Sequence, residues 1–385
     1  MIRTGVIGIG GFGRTHVRAL RRMEEEGLAQ LVAAAQPPMP EVEADIAALR
    51  EQGVRVWPHW RDMLAGEELE AVTIAAPVPL HAEMTSGALA AGAHVLLEKP
   101  PVPSVAALEA LAAQAESAGR LCAVDFQMLS AGSTRALKAL VASGELGPVQ
   151  RVTAVGLWKR LDSYYQRSPW HGRLREPNGE WTLGGPVANA MGHLLNQCLY
   201  FATPNEGFDM PVYAEAELYR AHPGIENEDT AAVRLRTAGG VVVGFYPTFC
   251  VAQQQAPWIE LTAMRATVRW EYDRALHLRW SDGREEERVF GPDERIDHVK
   301  MFRNFFRAVR GEEALLCPLG AARAFTAAAV SAYEAGVPVR PVNSAYVERV
   351  PDGDSIATLI RGVADDIQRA AATAALFTQV GAPWA

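Results

Sequence analysis

The sequence predicts an α/β protein built in two parts: a doubly wound parallel sheet at the N-terminus, then an α+β domain with a large, mostly antiparallel sheet. Three observations lead to this fold class. The chain has 385 residues, more than one ordinary core accommodates. Its first 127 residues alternate short apolar runs with helical patterns. After residue 147, strand patterns follow one another closely, with glycine turns between them.

The first part contains six apolar runs that predict strands. Continuous apolar strands separated by helices indicate a parallel sheet covered on both faces, because parallel crossovers need helices. We therefore predict a first domain over residues 1–127. The predicted strands are Thr4–Ile9, Leu28–Ala35, Val54–Trp57, Glu70–Ala76, His94–Glu98 and Leu121–Phe126, and the clearest helices are Thr15–Glu26, His81–Ala91 and Val105–Ala118.

The second part, residues 128–385, is predicted as an α+β domain. Short loops such as Ala238–Gly240 and Ser281–Gly283 make consecutive strands antiparallel neighbours. The predicted strands are Val212–Tyr219, Thr230–Thr237, Val241–Thr248, Trp258–Thr262, Thr267–Tyr272, Leu276–Trp280 and Glu287–Phe290. Helices are predicted at Asp293–Arg310 and Leu319–Ala335, and one C-terminal helix at Ser355–Phe377, whose place in the fold the sequence does not give.

Composition and charge narrow the function classes. The net charge of −8 disfavours a nucleic-acid partner, which would require a basic surface. No apolar run approaches the roughly 20 residues of a membrane helix, and no signal peptide begins the chain, so a cytoplasmic protein is expected. Four widely spaced cysteines and histidines without H-x-x-H spacing predict neither a disulfide framework nor a metal site.

A glycine-rich motif lies directly between the first predicted strand and the first predicted helix. Gly8, Gly10 and Gly13 match G-x-G-x-x-G, with Gly11 and Phe12 completing the loop. Such a loop turns tightly, lets a pyrophosphate approach the backbone, and presents the N-terminus of a helix to its charge. The motif predicts a Rossmann domain that binds a nicotinamide dinucleotide.

The end of the second strand bears on the choice between NAD and NADP. An acidic residue usually accepts hydrogen bonds from the ribose hydroxyls there in NAD-binding domains, but this chain has Gln36. Gln36 can bond a ribose hydroxyl, and Arg14 is a possible partner for a 2′-phosphate. Both cofactors stay open, with NAD slightly favoured.

Two further segments carry a family resemblance. The runs Ala75–His81 and Ala90–Pro100, the second ending in Glu-Lys-Pro, resemble the Gfo/Idh/MocA oxidoreductases, which include glucose–fructose oxidoreductase and inositol dehydrogenase. The resemblance implies a Rossmann domain followed by a domain for substrate binding and oligomerisation. Together with position in the sheet, it predicts further cofactor-binding residues at Ala76, Pro77, His81, Glu98, Lys99 and Gln127.

Lys99 is predicted as a catalytic residue. It follows the fifth strand, at the edge where open α/β sheets bind their ligands. The resemblance places it between nicotinamide and substrate, where an ammonium would stabilise a developing alkoxide.

The segment Gly184–Asn196 supplies the other predicted catalytic residues. In family members that oxidise polyols, an Asp and a His four residues apart work with the lysine. Here His193 is present, while Asn189 occupies the Asp position and Asn196 a position that often carries a second Asp. Asparagine cannot accept the proton, so His193 is the predicted general base and Asn189 an orienting residue.

Aromatic and basic residues before this segment suit a sugar, because CH faces stack on rings while hydroxyls need donors. The predicted substrate-binding residues are Arg160, Tyr164, Trp170, Arg173 and Asn189. The acidic run Glu226–Asp229 is predicted as a solvated loop.

These residues predict an NAD(P)-dependent dehydrogenase or reductase of a secondary alcohol in a sugar, polyol or glycoside, assembled as a homodimer or homotetramer. Two alternatives remain. A glycoside hydrolase or lyase that recycles NAD would release sugar without accumulating reduced cofactor. A cofactor-sensing regulator that has lost catalysis would bind the dinucleotide and turn over nothing.

Overall fold

A computed structural model of the chain describes residues 1–168 and 170–385. They form two compact units, the first made of residues 1–130 and 296–323 and the second of residues 131–295 and 324–385. Residues 296–323, which the sequence analysis assigned to the second domain, thus lie in the first unit. No helix of the described chain is both long enough and apolar enough to cross a membrane.

The first unit is built on a six-stranded parallel sheet in the order β3-β2-β1-β4-β5-β6. Its strands are β1 (Ile2–Ile7), β2 (Ala29–Ala35), β3 (Arg55–Trp57), β4 (Ala71–Ile74), β5 (His94–Leu97) and β6 (Cys122–Val124). The helices between them are α1 (Gly13–Glu25), α2 (Glu43–Glu51), α3 (Trp60–Gly66), α4 (His81–Ala90) and α5 (Val105–Ser117). The parallel sheet predicted from the apolar runs is confirmed.

The second unit is built on a nine-stranded sheet in the order β14-β13-β12-β11-β7-β10-β9-β8-β15. Only the pairs β7–β10 and β8–β15 are parallel, which confirms the predicted mostly antiparallel sheet. Its strands are β7 (Val149–Leu157), β8 (Pro211–Arg220), β9 (Thr230–Thr237), β10 (Val242–Thr248), β11 (Trp258–Ala263), β12 (Ala266–Glu271), β13 (Ala275–Trp280), β14 (Glu285–Val289) and β15 (Arg340–Pro341). The central strand β7 has no counterpart among the predicted strands.

Six more helices and a hairpin complete the chain. The helices are α6 (Gly132–Ala142), α7 (Asp162–Tyr165), α8 (Gly192–Phe201), α9 (His298–Val309), α10 (Arg323–Gly336) and α11 (Val363–Thr373), and the hairpin pairs β16 (Val347–Asp352) with β17 (Ser355–Ile360). Of these helices, α9 belongs to the first unit, where its Phe302, Phe305 and Phe306 are buried in the core beside β1 and β2.

The single C-terminal helix predicted at 355–377 is wrong. Residues 355–360 form strand β17, and only Val363–Thr373 is helical. Hydrogen-bonded pairing with β16, from Ser355 opposite Asp352 to Ile360 opposite Val347, makes this segment a strand. Gly362, at φ 81°, separates it from the helix. The final residues pack in the core of the second unit, where Trp384 Nε1 donates to Asp366 Oδ2 at 2.6 Å.

Candidate active site

The glycine loop of the first unit permits no side chain at its tightest points. Gly8 has φ 86°, and a Cβ atom there would lie 2.4 Å from the carbonyl oxygen of Ala75. A Cβ on Gly13 would lie 2.2 Å from the carbonyl oxygen of Gly8, whereas one on Gly11 would meet no atom within 4 Å. Helix α1 begins at Gly13 without a side-chain cap. The loop therefore presents open backbone and a helix N-terminus, which fits a pyrophosphate.

Gln36 and Arg14 are both engaged by the protein itself. Gln36 Oε1 accepts a hydrogen bond from Ile9 N at 3.0 Å, so the glutamine fixes the start of the glycine loop. Arg14 Nη2 lies 2.8 Å from Asp45 Oδ2 and donates to the carbonyl oxygen of Glu41. Because Arg14 already has a carboxylate partner, it is not a ready partner for a 2′-phosphate.

Lys99 follows β5 beside four buried or partly buried titratable side chains. We call His16, Glu98, Asp125 and His298 the carboxylate–imidazole cluster. Glu98 Oε2 accepts from the backbone N of Lys99 at 2.9 Å, and Glu98 Oε1 lies 3.2 Å from His16 Nε2. Asp125 Oδ2 lies 3.3 Å from His298 Nδ1 and 4.0 Å from His16 Nε2.

The topology explains why these groups meet. Glu98 and Asp125 follow β5 and β6, whose carboxyl ends share one edge of the parallel sheet. His16 lies in the first turn of α1, which starts at the same edge, and His298 is the first residue of α9. Phe12 of the glycine loop packs edge-on against the His298 ring at 5.2 Å between centroids. The cluster thus links the cofactor loop with Lys99.

The charges of the cluster act on one another. Burial lowers the pKa of Lys99, and the negative charges of Glu98 and Asp125 oppose that change. Burial raises the pKa of Asp125, although the hydrogen bond from His298 opposes that change. Glu98 is also buried, but the neighbouring His16 holds its pKa below the usual range. Asp125 in turn raises the pKa of His298 against the effect of burial. The cluster is therefore a set of mutually compensating charges.

Two other predicted cofactor residues have distinct surroundings. Both ring nitrogens of His81 face backbone carbonyl oxygens, that of Ala76 at 2.8 Å and that of Pro100 at 3.0 Å. His81 therefore ties the loop after β4, with Ala76 and Pro77, to the loop after β5.

Gln127 is 9% exposed, and its Oε1 has no hydrogen-bond donor within the described chain. A buried amide oxygen without a donor suits a hydrogen bond from a ligand, such as a carboxamide.

In the second unit, Asn189 and His193 lie on either side of a helical irregularity. Residues Pro186–Ala190 form one turn of π-helix, and α8 begins at Gly192. Their four-residue spacing alone suggests that the two residues share one face of a regular α-helix. The break at Met191 shows that they do not. His193 is 7% exposed, while Asn189 is partly exposed.

A buried glutamate supports this turn. Glu228 Oε1 accepts from Val187 N at 3.2 Å and from the Tyr333 hydroxyl at 2.9 Å. A Cβ atom on Gly185 would lie 2.0 Å from that oxygen, so only glycine allows the carboxyl group to approach. Burial raises the pKa of Glu228 to about 7.

The prediction that residues 226–229 form a solvated loop is wrong for all but Glu226, because Asn227, Glu228 and Asp229 are buried. Asp229 is also fully buried and accepts from the backbone N of His222 and from its Nδ1, at 2.8 and 2.9 Å. His222 Nε2 lies 3.1 Å from the carbonyl oxygen of Arg160. A charge-rich run was mistaken for a surface loop because its partners are distant in sequence.

The predicted sugar-binding residues divide into two groups. Tyr164 lies under the guanidinium groups of Arg160 and Arg167, at 5.5 and 5.2 Å from its ring centroid. The Trp170 ring stacks on His171 at 4.0 Å and lies against Gly184, at 3.3 Å from where a Cβ would be. Arg173, by contrast, is exposed, with Glu176 4.0 Å away.

Two groups of side chains have metal-ligand atoms within 4.8 Å of one another: His16 with Glu98 and Asp125, and His222 with Asp229 and Cys250. In each group an imidazole nitrogen lies within hydrogen-bonding distance of a carboxylate, which explains the clustering without an ion.

Sequence reasoning missed His16, Asp125, His298 and Glu228. Asp125 could have been found, because a carboxylate directly after a parallel strand lies at the ligand-binding edge. His298 could not, since nothing around it in the sequence indicates that α9 returns to the first unit.

Comparison with known proteins agrees with this architecture. Residues 2–126 match a family model described as an oxidoreductase family with an NAD-binding Rossmann fold, and residues 134–269 match the GFO/IDH/MocA C-terminal domain. The expected nicotinamide cofactor is thus confirmed at the level of the domain.

Individual relatives are more distant. Over 148 residues the chain is 36% identical to inositol 2-dehydrogenase of Streptomyces avermitilis, which covers 38% of this chain and 42% of the relative. Over 158 residues it is 29% identical to D-glucoside 3-dehydrogenase of Escherichia coli, covering 41% and 43%. The chain thus matches about two fifths of the length of these curated relatives.

Among solved structures, the WlbA dehydrogenase of Bordetella pertussis in complex with NADH and UDP-GlcNAcA has a similar fold. The TM-score is 0.72 at 23% identity, over 87% of this chain and 96% of the other. The two family models together span most of the chain and agree with the fold. This chain belongs to the Gfo/Idh/MocA oxidoreductase family.

Proposed function

We propose that this protein oxidises a secondary alcohol of a sugar, polyol or glycoside with a nicotinamide cofactor, or catalyses the reverse reduction. The observation that carries the proposal is Lys99, held after β5 beside Glu98 and Asp125 in the unit that contains the glycine loop. A lysine whose pKa is lowered at the ligand-binding edge of a parallel sheet is a candidate catalytic group.

Lys99, His193 and Asn189, the catalytic residues predicted from the sequence, have distinct roles in the proposed reaction. When bound, the nicotinamide supplies the hydride chemistry at the carbinol carbon. The Lys99 ammonium donates a hydrogen bond to the reacting oxygen and stabilises negative charge as it develops there. His193 accepts the hydroxyl proton on an imidazole nitrogen, and the Asn189 amide orients substrate or imidazole without taking a proton.

We further propose NAD as the preferred cofactor. The Arg14–Asp45 ion pair supports this choice, because the cation nearest the glycine loop is already engaged with a carboxylate of the protein. Gln36 adds no cation at the end of β2.

The proposal includes a homo-oligomer in the cytoplasm. Strands β11 to β14 of the large sheet carry side chains of both charges, with Arg269 near Glu260 and Arg279 near Glu285, and such a surface can complement a second copy. All four cysteines are buried free thiols, as in a reducing compartment. Sedimentation analysis checks the assembly, and a monomer at all concentrations would contradict it.

The test of function is reduced-nicotinamide absorbance after mixing the protein with NAD or NADP and a panel of sugars, inositols and glycosides. Accumulation of reduced cofactor with at least one panel member is expected, and with NAD in preference to NADP. Sugar release without reduced cofactor would instead indicate an NAD-recycling hydrolase or lyase. Tight NAD binding without any turnover would indicate a sensor.

A further inference from the structure

Arg160 is a guanidinium partly withdrawn from water in the second unit. It follows β7, and its backbone N donates to the carbonyl oxygen of Phe249 at 3.1 Å. Its side chain lies over the rings of Trp158 and Phe249, at 5.0 and 5.6 Å from their centroids. Burial lowers its pKa. Its Nη1 donates to the carbonyl oxygen of Lys159 at 3.2 Å, a neutral acceptor.

A second cation lies close to Arg160. Arg167 lies over the ring of Tyr164, as Arg160 does, and its positive charge adds to burial in lowering the pKa of Arg160. Arg167 acts in the same way on His171, whose pKa falls to about 4, chiefly through burial. Two like charges thus face one tyrosine, beside an imidazole that stays neutral.

No carboxylate compensates these charges in the part of the chain that the structure describes. No Asp or Glu oxygen lies within 4.0 Å of either guanidinium among residues 1–168 and 170–385. The nearby acids are engaged elsewhere: Asp162 pairs with Arg349, and Asp352 lies 2.5 Å from Lys159. Glu228, which acts on Tyr164, is bonded to Val187 and Tyr333.

Of the two guanidiniums, Arg167 is exposed to solvent, whereas Arg160 is partly withdrawn from water. An anionic ligand would supply the partner that Arg160 lacks among the described residues. Proteins pair charges that they withdraw from water, and an arginine fork matches the two oxygens of a carboxylate or phosphate. The position suits a substrate. A Cβ on Gly156, in β7, would lie 2.2 Å from Met191 Sδ, so this strand passes directly beside the turn that carries Asn189.

We propose that Arg160 and Arg167 bind an anionic group, a carboxylate or a phosphate, on the substrate of this protein. The inference rests on the proposed function only in calling that ligand a substrate. Tyr164 and Trp170 would then stack against the sugar ring that carries the anion. An acidic or phosphorylated sugar is thereby favoured over a neutral polyol.

The experiment compares calorimetric binding of inorganic phosphate, D-glucuronate and D-glucose to the NAD-saturated protein. At least one anion should bind more tightly than glucose, and Arg160→Gln, which keeps an amide donor, should weaken that anion by about tenfold or more. Comparing the affinity for glucuronate with the affinity for phosphate distinguishes a carboxylate site from a phosphate site. Arg279→Gln, an exposed arginine of the same unit, is the matched control. Arg160→Lys should be intermediate, because it keeps the charge and loses the fork.

Equal binding in wild type and Arg160→Gln, or no binding of either anion, would overturn the proposal. The proposed function fails separately. If anions bind at Arg160 and no sugar is oxidised, the anion site stands and the dehydrogenase does not. If a neutral sugar is oxidised with unchanged kcat/KM in Arg160→Gln, the dehydrogenase stands and the anion site does not.

Discussion

Glu98 in the first unit and Glu228 in the second are both buried glutamates, and their pKa values move in opposite directions. His16 lies 3.2 Å from Glu98 and helps to hold its pKa below the usual range despite burial. Glu228 accepts from the Tyr333 hydroxyl and from backbone N–H donors such as that of Val187, and burial raises its pKa to about 7. Near pH 7, the Glu98 carboxyl group therefore stays ionised, whereas the Glu228 carboxyl group is about half protonated.

The cations show the same contrast. Lys99 faces Glu98 and Asp125, and His298 and His16 balance those carboxylates in turn. Arg160 has a second arginine nearby and no carboxylate within ion-pair distance in the described residues. A compensated cluster keeps its charge state without a ligand, whereas an uncompensated cation is completed by one. The first unit thus holds a lysine beside balancing charges, and the second holds an arginine without a carboxylate partner among the described residues.

The largest expected effect is on turnover at Lys99. Lys99→Met should lower kcat by about a hundredfold to a thousandfold, because it removes the donor to the developing alkoxide. NAD affinity, followed by fluorescence, should change little. Lys159→Met, which removes a surface lysine paired with Asp352, is the control. A Lys99→Met enzyme with more than a tenth of wild-type kcat would show that the compensated cluster does not serve catalysis.

The next effect concerns Glu228 and stability. Its folded-state pKa of about 7 lies above the ordinary 4.5, so its favourable contribution is full below pH 4.5 and is lost as pH rises through 7. Glu228→Gln keeps both acceptor contacts and removes the titration. Relative to wild type, its free energy of unfolding should therefore rise by roughly 3 kcal/mol between pH 4.5 and 7. Denaturant titrations at several pH values measure this difference, with Glu226→Gln as control. A constant difference would mean that folding does not raise the pKa of Glu228.

A smaller effect is expected at His298. Without its hydrogen bond, Asp125 should take up a proton, because burial and Glu98 already raise its pKa. Lys99 then loses a negative neighbour, and its pKa should fall further in His298→Leu. His298→Asn, which can still donate to Asp125, should recover part of the change.

The chain has only four lysines, so 13C NMR of lysine-labelled protein resolves Lys99 directly. His277→Leu, at an exposed histidine of β13, should leave the titration unchanged. An unaltered Lys99 titration in His298→Leu would show that His298 of α9 does not influence the pKa of Lys99.

The smallest effect is expected at Gln36. Gln36→Ala removes the acceptor for Ile9 N and should weaken NAD binding about threefold to tenfold by loosening the glycine loop. Gln30→Ala, on the exposed side of β2, is the control. Unchanged affinity would show that the loop keeps its shape without this bond.

Sequence reasoning found what short-range patterns encode. The glycine loop and Lys99 are each marked by a strand end followed by a fixed set of residues, and all six strands of the first unit were predicted near their observed bounds. What it missed depends on tertiary contacts. The acidic run at Glu226 resembles a solvated loop because the partner of Glu228, Tyr333, lies 105 residues away. The Ser355–Ile360 strand is a different case, since it pairs with the adjacent strand Val347–Asp352 and its short apolar run alone does not distinguish a strand from a helix.

The pairing of Arg160 was also out of reach, since a sequence shows where charges are but not which of them meet. Asp162 lies two residues from Arg160 and turns instead to Arg349. Only the folded chain shows which cation remains without a carboxylate.

The central claim, net oxidation of a substrate alcohol, is tested most directly by stoichiometry. With a panel compound that is consumed in the presence of NAD, reduced nicotinamide and the ketone product are both quantified during the reaction. We expect one reduced nicotinamide for each ketone formed, with both products formed about a hundredfold to a thousandfold more slowly in Lys99→Met. Consumption of the compound with cleaved sugar as product and no net reduced nicotinamide would contradict it.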